Sequence, residues 1–500
     1  MADTETPNTQ SSDAGPSSRS LFFRVFPSIC LPMFMAAVDQ TIVATALPAI
    51  AASVNDVERV SWIVVAYLMA TTIAAPVYGR LGDALGRKRM LFGALGVFIV
   101  ASVLCALAPT LLALVGARLL QGFGGGGLMT MSQALIGESV PPRERARYQG
   151  YLATIFMLSS TLGPVLGGWL TQHFGWHSVF LINLPLGAAA LVLARRLPDR
   201  PPGQSRLRFD WLGLGLFTGF VVPLLLALER VQHVSWPVVP VIAALIALAI
   251  ASLLLLLRQE RRFNEPLIPV NLLRQPAIWR ADAMGACVGA TIVSTVTFMP
   301  IYLTVVRGVD AGQAGLLMLP LTAGVATGSL LTGRMIARTG HTALFPSVGL
   351  GFVTAALLTL AFGAGSIPTA WLPVVFLVLS MSLGTTMPVV QTTVQLVAGP
   401  KNLGAASASV QFSRSIGAAL GTALVGAVLF SVLAWQDAGT AELFSAIVER
   451  GPAALAGLDA GRRAVVASEI AGAFTAAFAT VACFSATGLV LAWTLPVRRI

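Results

Sequence analysis

The sequence predicts an all-α polytopic membrane protein with fourteen transmembrane helices, and two observations lead to that prediction. Hydrophobic residues make up 56% of the 500 residues and charged residues only 11%, whereas soluble domains carry about 25% charged residues. The sequence contains repeated apolar runs, each long enough to supply the roughly 20 residues that a helix needs to span a bilayer. The 48 Gly and 29 Pro residues follow no short period, which excludes a collagen-like or coiled-coil protein.

Charged loops, Pro-Gly clusters and turns of Ser, Asn and Asp divide the apolar sequence into its segments. The fourteen segments are 24–50, 60–79, 90–108, 111–137, 148–171, 177–194, 211–228, 237–257, 281–305, 312–333, 343–363, 370–396, 403–432 and 470–494. The stretch from Thr339 to Pro400 carries no Asp, Glu, Lys or Arg and is too long for one helix, so we divide it at Gly363–Pro368. Residues 1–20 lack the basic start and apolar core of a signal peptide, and they are predicted to form a disordered cytoplasmic tail.

The basic residues are distributed unevenly between alternate loops. If the N-terminus lies inside, 24 of the 32 Lys and Arg residues are cytoplasmic, 6 are external and 2, Arg118 and Arg414, lie in the membrane. This is the positive-inside pattern of membrane proteins, and it places both termini in the cytoplasm. The net charge of +11 is therefore explained by topology, and we expect no nucleic-acid partner.

An internal repeat divides the chain into two related halves. Gly79-Arg80 and Gly333-Arg334 both begin the pattern Gly-Arg, five residues, Gly and a basic residue. The predicted organisation is a six-helix half over 21–200, a linker with two inserted helices over 201–262, and a second six-helix half over 263–497 that includes an external loop at 433–467. Parallel repeats of this kind are typical of transporters whose halves rock about a central site.

Five sequence motifs carry a family resemblance. They are Gly79–Arg89, Val38–Val43 with Ala46-Leu47-Pro48, Ala117–Gly122, Gly163–Gly168, and Trp176–Gly187. Together with the number of spans, they resemble the fourteen-helix drug:proton antiporter branch of the major facilitator superfamily, of the multidrug efflux type. The sequence departs from that pattern at Ala44, where Asn is usual, and at His177, where Arg is usual.

Asp39 is the only charged residue between Val25 and Asn55. A charge at the centre of a membrane helix costs about 2.5 to 3.5 kcal/mol by insertion scales, and such residues usually have a function. One interpretation is a carboxylate that exchanges a proton; the other is a permanent structural ion pair, for instance with Arg118. A guanidinium is always protonated, so Arg118 cannot carry the proton, and the resemblance implies that it takes part in proton coupling.

The resemblance also implies two structural devices. The first is a cytoplasmic latch that closes one side of the transporter, formed by Gly79, Arg80, Gly82, Asp83, Gly86, Arg87, Lys88 and Arg414. The second is the antiporter helix motif of Gly163, Pro164, Gly167 and Gly168, whose small residues allow close helix packing. In the second half Ala337 stands where the first half has Asp83, so the latch would be one-sided.

Polar, aromatic and Met residues near the centres of the helices are the candidates for a substrate cavity. They are Gln40, Trp62, Tyr67, Gln121, Met131, Gln133, Phe298, Met299, Gln391 and Gln395. We expect no metal site, because His173 and His177 flank a turn at the membrane surface and the four Cys residues have no paired spacing.

The sequence therefore predicts a secondary transporter of the cytoplasmic (inner) membrane that exports lipophilic, often cationic drugs in exchange for protons. A P-loop needs Gly before its Lys, whereas the two lysines of this sequence, Lys88 and Lys401, follow Arg87 and Pro400. We therefore expect no cofactor and a proton gradient as the energy source. No catalytic motif indicates an enzyme. The expected partners are small lipophilic substrates, protons and the bilayer, with the protein acting as a monomer. The alternatives are a dedicated exporter of an endogenous metabolite, siderophore or lipid-like molecule, and a non-transporting sensor or scaffold.

Overall fold

The computed structural model describes residues 18–54, 59–199, 209–231, 238–263, 266–268, 270–363, 367–450 and 459–499. Nearly all of these residues are helical, as expected in lipid, where a helix satisfies its own backbone hydrogen bonds. The first half contains α1 (Ser18–Val54), α2 (Trp62–Leu85), α3 (Arg87–Ala106), α4 (Leu111–Ser139), α5 (Pro142–Phe174), α6 (Ser178–Leu181) and α7 (Asn183–Ala194).

Two helices, α8 (Trp211–Val231) and α9 (Val239–Arg262), form the inserted hairpin. The second half contains α10 (Val270–Leu273), α11 (Pro276–Ile301), α12 (Ala311–Thr339), α13 (Leu344–Gly363), α14 (Leu372–Gly384), α15 (Thr386–Ala398), α16 (Leu403–Gln436), α17 (Ala438–Arg450) and α18 (Ala460–Trp493). A π-helical turn, Tyr302–Val306, extends α11.

The fourteen predicted segments all coincide with helices. Thirteen helical stretches of the described residues are long and apolar enough to cross a membrane, and the shorter apolar stretch Ser178–Ala194 corresponds to the sixth predicted segment. The chain is thus a multi-pass membrane protein. The predicted division at Gly363–Pro368 is confirmed, since α13 ends at Gly363 and the next span begins at Thr369.

Polar side chains define several helix ends. Thr110 accepts a hydrogen bond from the Ala113 amide at 3.2 Å at the start of α4, and Asp310 accepts one from the Gln313 amide at 3.0 Å at the start of α12. These are N-caps, which satisfy amides that have no partner within the helix. Both repeat motifs end their helices at glycines with positive φ, Gly86 at 100° and Gly340 at 72°, a conformation that side chains with a Cβ disfavour.

The two halves meet along two symmetry-related seams, between α2 and α16 and between α5 and α12. Each repeat motif contributes a glycine to one seam. A Cβ on Gly79 would lie 2.7 Å from the Gly404 carbonyl oxygen of α16, and a Cβ on Gly333 would meet the Ala146 carbonyl oxygen of α5. The repeat found in the sequence thus corresponds to a repeated way of packing the halves together.

The structure describes the predicted tail, linker and external loop only in part. The predicted tail 1–20 lies outside the described residues except for 18–20, which belong to α1. The linker part 200–208 also lies outside them. In the predicted external loop 433–467, α16 continues to Gln436 and α17 follows. Phe444 and Ile447 of α17 are buried, because they pack on the apolar core of the second half.

Candidate functional site

Asp39 lies near the middle of α1 and is fully buried, with 0% exposure. Its carboxylate accepts three hydrogen bonds: Oδ2 from Arg118 Nη1 at 2.5 Å, and Oδ1 from Gln121 Nε2 at 2.9 Å and from Asn183 Nδ2 at 3.0 Å. We call Asp39, Ser102, Arg118, Gln121 and Asn183 the Asp39 cluster. All three direct neighbours donate, which is the arrangement that an anionic carboxylate requires.

Helix periodicity places the two donors of α4 on one face. Arg118 and Gln121 are three residues apart, so they lie on the same side of α4, and Arg118 Nη1 also donates to Gln121 Oε1 at 2.7 Å. Gln121 Nε2 and Asn183 Nδ2 both donate to Ser102 Oγ of α3, at 2.8 and 3.3 Å. The cluster therefore joins α1, α3, α4 and α7 within the first half.

Arg118 is 1% exposed and is held on every side. Its Nε donates to the Ile63 carbonyl oxygen of α2 at 3.2 Å. Its guanidinium carbon lies 4.2 Å from the centre of the Tyr67 ring and 5.9 Å from that of Phe180, distances typical of cation–π contacts. The arrangement holds the charge of Arg118 next to Asp39 in a region that side chains seal from water.

The predicted latch residues meet at the α2–α16 seam. Asp83 Oδ1 accepts from the Gly404 amide at 2.8 Å and Oδ2 from the Ala405 amide at 2.9 Å, so a residue of the first half caps a helix of the second. Arg87 pairs with Asp83 at 2.6 Å and with Glu138 at 3.1 Å. The two halves are thus joined at the start of α16.

The remaining latch residues have separate roles. Lys88 Nζ donates to the Leu197 carbonyl oxygen at 2.6 Å and stays within the first half. A Cβ on Gly82 would lie 2.6 Å from Met131 Sδ, which places Met131 beside the latch. Arg80 is half-buried and takes part in other contacts.

The structure places Arg414 outside the latch. It lies eleven residues into α16 from Leu403, about 16 Å along the helix axis at 1.5 Å per residue. Its guanidinium contacts Gln411 Oε1 at 3.1 Å and lies 5.6 Å from the centre of the Phe156 ring of α5. That depth in the membrane separates it from the Asp83 carboxylate at the start of α16.

Two residues of the antiporter helix motif form the contact between α5 and α1. A Cβ on Gly163 would collide with Thr41 Oγ1, and a Cβ on Gly167 with Thr45 Oγ1 and the Ile42 carbonyl oxygen. Thr41 Oγ1 donates to the Ser159 carbonyl oxygen of α5 at 3.1 Å. The motif therefore packs α5 against the helix that carries Asp39.

The other two members of that motif lie on a different face of α5. Nothing lies within 4 Å of a Cβ built on Gly168, and Pro164 is exposed. Only Gly163 and Gly167, four residues apart, need to be small for the contact with α1.

The predicted cavity residues divide into separate groups. Gln395 Nε2 donates to the Gln133 carbonyl oxygen of the first half at 2.9 Å, and Gln391 and Gln395 both donate to Ser407 Oγ, at 3.1 and 3.2 Å. These glutamines lie together at the interface of the halves. Among the residues that the structure describes, the buried side-chain oxygens of Gln133 and Gln395 have no hydrogen-bond partner.

The other cavity candidates lie elsewhere. Tyr67 and Gln121 face Arg118 and Asp39, because their positions on α2 and α4 point into the first half. Phe298 and Met299 belong to the apolar core of the second half, where burial of their large apolar surface stabilises the fold. Gln40 and Trp62 are half-buried and belong to none of the groups described above.

Sequence reasoning missed part of the cluster. Ser102 gives no signal, since a single Ser in an apolar helix usually bonds its own backbone, and Ser102 Oγ also donates to the Phe98 carbonyl oxygen at 2.8 Å. Asn183 was visible only as part of the Trp176–Gly187 motif, without a role. An amide in an apolar helix is a usable signal for an interhelical hydrogen bond.

An internal repeat relates the two six-helix halves, and the first half contains a buried ion pair. Parallel repeats of this kind are typical of membrane transporters. The family model of the major facilitator superfamily matches residues 29–211 and 209–422. The chain therefore belongs to the major facilitator superfamily, a family of transporters and not of enzymes.

Curated relatives include an uncharacterized transporter of Mycobacterium tuberculosis, 35% identical over 413 residues, which are 82% of this chain and 60% of that protein. The chain thus spans less than two thirds of the length of that relative. The multidrug transporter protein MdtP of Bacillus subtilis is 30% identical over 412 residues, 80% of this chain and 74% of that one. The crystal structure of the human organic anion transporter MFSD10 shares the fold, with a TM-score of 0.65 and 16% identity over 96% of this chain and all of that chain.

Proposed function

We propose that the protein is a secondary active transporter that exports lipophilic, often cationic compounds in exchange for protons. The observation that carries the proposal is the fully buried Asp39–Arg118 pair, 2.5 Å apart, in the first half of a major facilitator fold. The similarity of the chain to a multidrug transporter of Bacillus subtilis supports the substrate class. We place the protein in the cytoplasmic membrane as a monomer, with both termini in the cytoplasm and the latch on the cytoplasmic side.

Protonation of Asp39 is the proposed coupling step. A neutral Asp39 no longer compensates the charge of Arg118, which keeps the Gln121 and Ile63 oxygens and the Tyr67 and Phe180 rings as partners. Breaking a buried pair costs several kcal/mol, and that free energy is available to change how α1 and α4 pack. Because α1 also packs against α5 through Gly163, a shift of α1 reaches the helix that forms the second seam.

The charge balance limits the driving force. Exchange of one proton for one monovalent cation moves no net charge across the membrane, so only the pH difference drives it, at about 1.4 kcal/mol per tenfold accumulation. A single titrating carboxylate also predicts that divalent cations are exported less well than monovalent ones. Strong export of a divalent cation would contradict the single-carboxylate scheme.

The test is uptake of a fluorescent lipophilic cation into proteoliposomes under an imposed pH gradient. Wild type is expected to accumulate the dye, whereas Asp39→Asn is expected to bind it without accumulation. Asp310→Asn is the matched control, because Asn also caps helices well and Asp310 lies at the start of α12, away from the Asp39 cluster.

Two results would contradict the proposal. Gradient-driven accumulation by Asp39→Asn at the rate of wild type would exclude Asp39 as the coupling site. Absence of gradient-driven flux by wild type, across a broad panel of cationic and neutral compounds, would favour a dedicated exporter of one endogenous molecule or a non-transporting sensor.

A further inference from the structure

A cavity of about 470 Å³ lies between the inserted hairpin and the second half. Its walls come from α8 and α9, from the segment at 267–268 and 270–274 that contains α10, and from α11 and α16, with Pro76 of α2 also in the lining. A volume of 300 to 1,000 Å³ is usual for small-molecule sites. The Asp39 cluster contributes no residue to it, so the cavity is separate from the proposed coupling site.

Asp282 of α11 lies in the wall of this cavity and is 6% exposed. Its Oδ1 accepts only a long hydrogen bond, 3.4 Å from Ser409 Oγ. Its Oδ2 has no hydrogen-bond partner among the residues that the structure describes. Asp39, by contrast, has three donors within 3.0 Å. Burying a carboxylate oxygen without a donor is costly, and a cationic ligand in the cavity would supply a partner for Asp282.

Two other charged residues face the cavity. Both carboxylate oxygens of Glu260 accept from the Ile268 amide at 3.2 Å, so Glu260 is already hydrogen-bonded. Arg274 is exposed, and in the part of the chain that the structure describes it makes no hydrogen bond to Asp282. The cavity therefore carries two acidic groups and one basic group, an arrangement that favours a single positive charge next to Asp282.

Apart from Ser409 and Ser413, the rest of the lining is apolar. Phe217, Phe220, Leu253, Leu256, Leu257 and Phe412 line it. Such walls bury the hydrophobic part of a ligand, at about 25 cal/mol per Å² of apolar surface. Together with one carboxylate, they match an organic cation with large apolar groups better than a hydrated metal ion, which needs several oxygen ligands.

We propose that this cavity is a second binding site, at which Asp282 pairs with a lipophilic monovalent cation held between the hairpin α8–α9 and α16. The proposal rests on the proposed function for the class of cargo. The site lies beside the latch, because Ala405 and Ser409 of α16 line it while the Ala405 amide binds Asp83.

The test is the binding of tetraphenylphosphonium to purified protein in lipid nanodiscs, without a proton gradient, by equilibrium dialysis. Tetraphenylborate, which has the same shape and the opposite charge, is the ligand control. Asp282→Asn is expected to weaken cation binding at least tenfold and to remove the preference for the cation, whereas Asp282→Glu, which keeps the charge, is expected to stay within about threefold of wild type.

A second variant keeps the carboxylate and fills the space. Leu257→Trp is expected to weaken binding at least tenfold with an unchanged melting temperature, and Asp310→Asn serves as the control outside the cavity. The inference is overturned if wild type does not bind the cation, or if Asp282→Asn and Leu257→Trp bind it as tightly as wild type. Failure of proton-driven transport leaves the binding result standing, so the two proposals fail separately.

Discussion

Replacing Asp39 by Asn tests whether the buried pair is held by charge. Asp39 accepts hydrogen bonds from Arg118, Gln121 and Asn183, so both of its oxygens face donors. An Asn side chain has one acceptor oxygen and one NH₂ group. Whichever way the amide is turned, its NH₂ group faces a donor, and Arg118 loses its counter-charge at 1% exposure.

The expected loss of stability follows from these contacts. Removing one partner of a buried ion pair costs about 3 to 5 kcal/mol. Arg118 keeps two hydrogen bonds and its contact with the Tyr67 ring, so we expect a value near the lower end, about 3 kcal/mol. The double variant Asp39→Asn/Arg118→Gln removes both charges and is expected to recover most of that loss.

The pH dependence separates the two single variants. Arg118→Gln leaves a carboxylate that a proton can neutralise, so its penalty is expected to shrink as the pH falls. Asp39→Asn has no carboxylate at this position and keeps a guanidinium that stays charged at every accessible pH, so the stability of this variant is itself expected not to change with pH through this pair. Wild type is measured at each pH as the reference.

The assay is equilibrium unfolding in mixed detergent micelles, followed by tryptophan fluorescence, for wild type, both single variants and the double variant. Such a cycle isolates the coupling free energy of the two residues. The reasoning is refuted if Asp39→Asn lies within about 0.5 kcal/mol of wild type, the range typical of a surface substitution. It is also refuted if the double variant is less stable than both single variants.

Three further predictions concern the contacts between helices. Asp83→Ala removes two charge-assisted hydrogen bonds to amides of α16, worth about 1.5 to 3 kcal/mol each. Spin–spin distance distributions across the latch should then show the ratio of open to closed protein raised tenfold or more. An unchanged distribution would contradict the latch. Gly163→Ala places a Cβ against Thr41 Oγ1, so we expect about 1 to 3 kcal/mol of destabilisation and a raised proton leak in liposomes. Gly168→Ala is the control and should match wild type, because the space around Gly168 is open. Gln395→Ala removes a hydrogen bond between the halves of about 1 kcal/mol. The same distance distributions should show the ratio of open to closed protein raised about fivefold. An unchanged ratio would mean that Gln395 stabilises only its own half.

The helices could be predicted almost completely from the sequence, because each must carry a long apolar run. Their interruptions could not. The sixth segment is divided at Ile182 between α6 and α7, and the twelfth at Thr385 between α14 and α15. Both breaks lie within long segments that hydropathy does not divide. Each lies three residues before a proline, Pro185 and Pro388, which lacks the amide that a continuous helix would use.

The site was predictable to the extent that it depends on isolated charges. Asp39 and Arg118 stand alone in apolar helices, so their pairing was one of the two interpretations that the sequence allowed, and the structure brings them together at 2.5 Å. The aromatic and amide candidates were less predictable. Tyr67 faces Arg118 and Phe298 lies in a core, since helix rotation, which a single sequence does not determine, sets which way such side chains point.

The latch described above makes the two seams between the halves unequal. Asp83 joins α2 to α16 through charge-assisted bonds, whereas the corresponding position toward α5 is Ala337. We expect the α5–α12 seam to act as a hinge and the α2–α16 seam to be the one that opens. A cross-link between Gly333 and Ala146 should then permit turnover, and one between Gly79 and Gly404 should stop it.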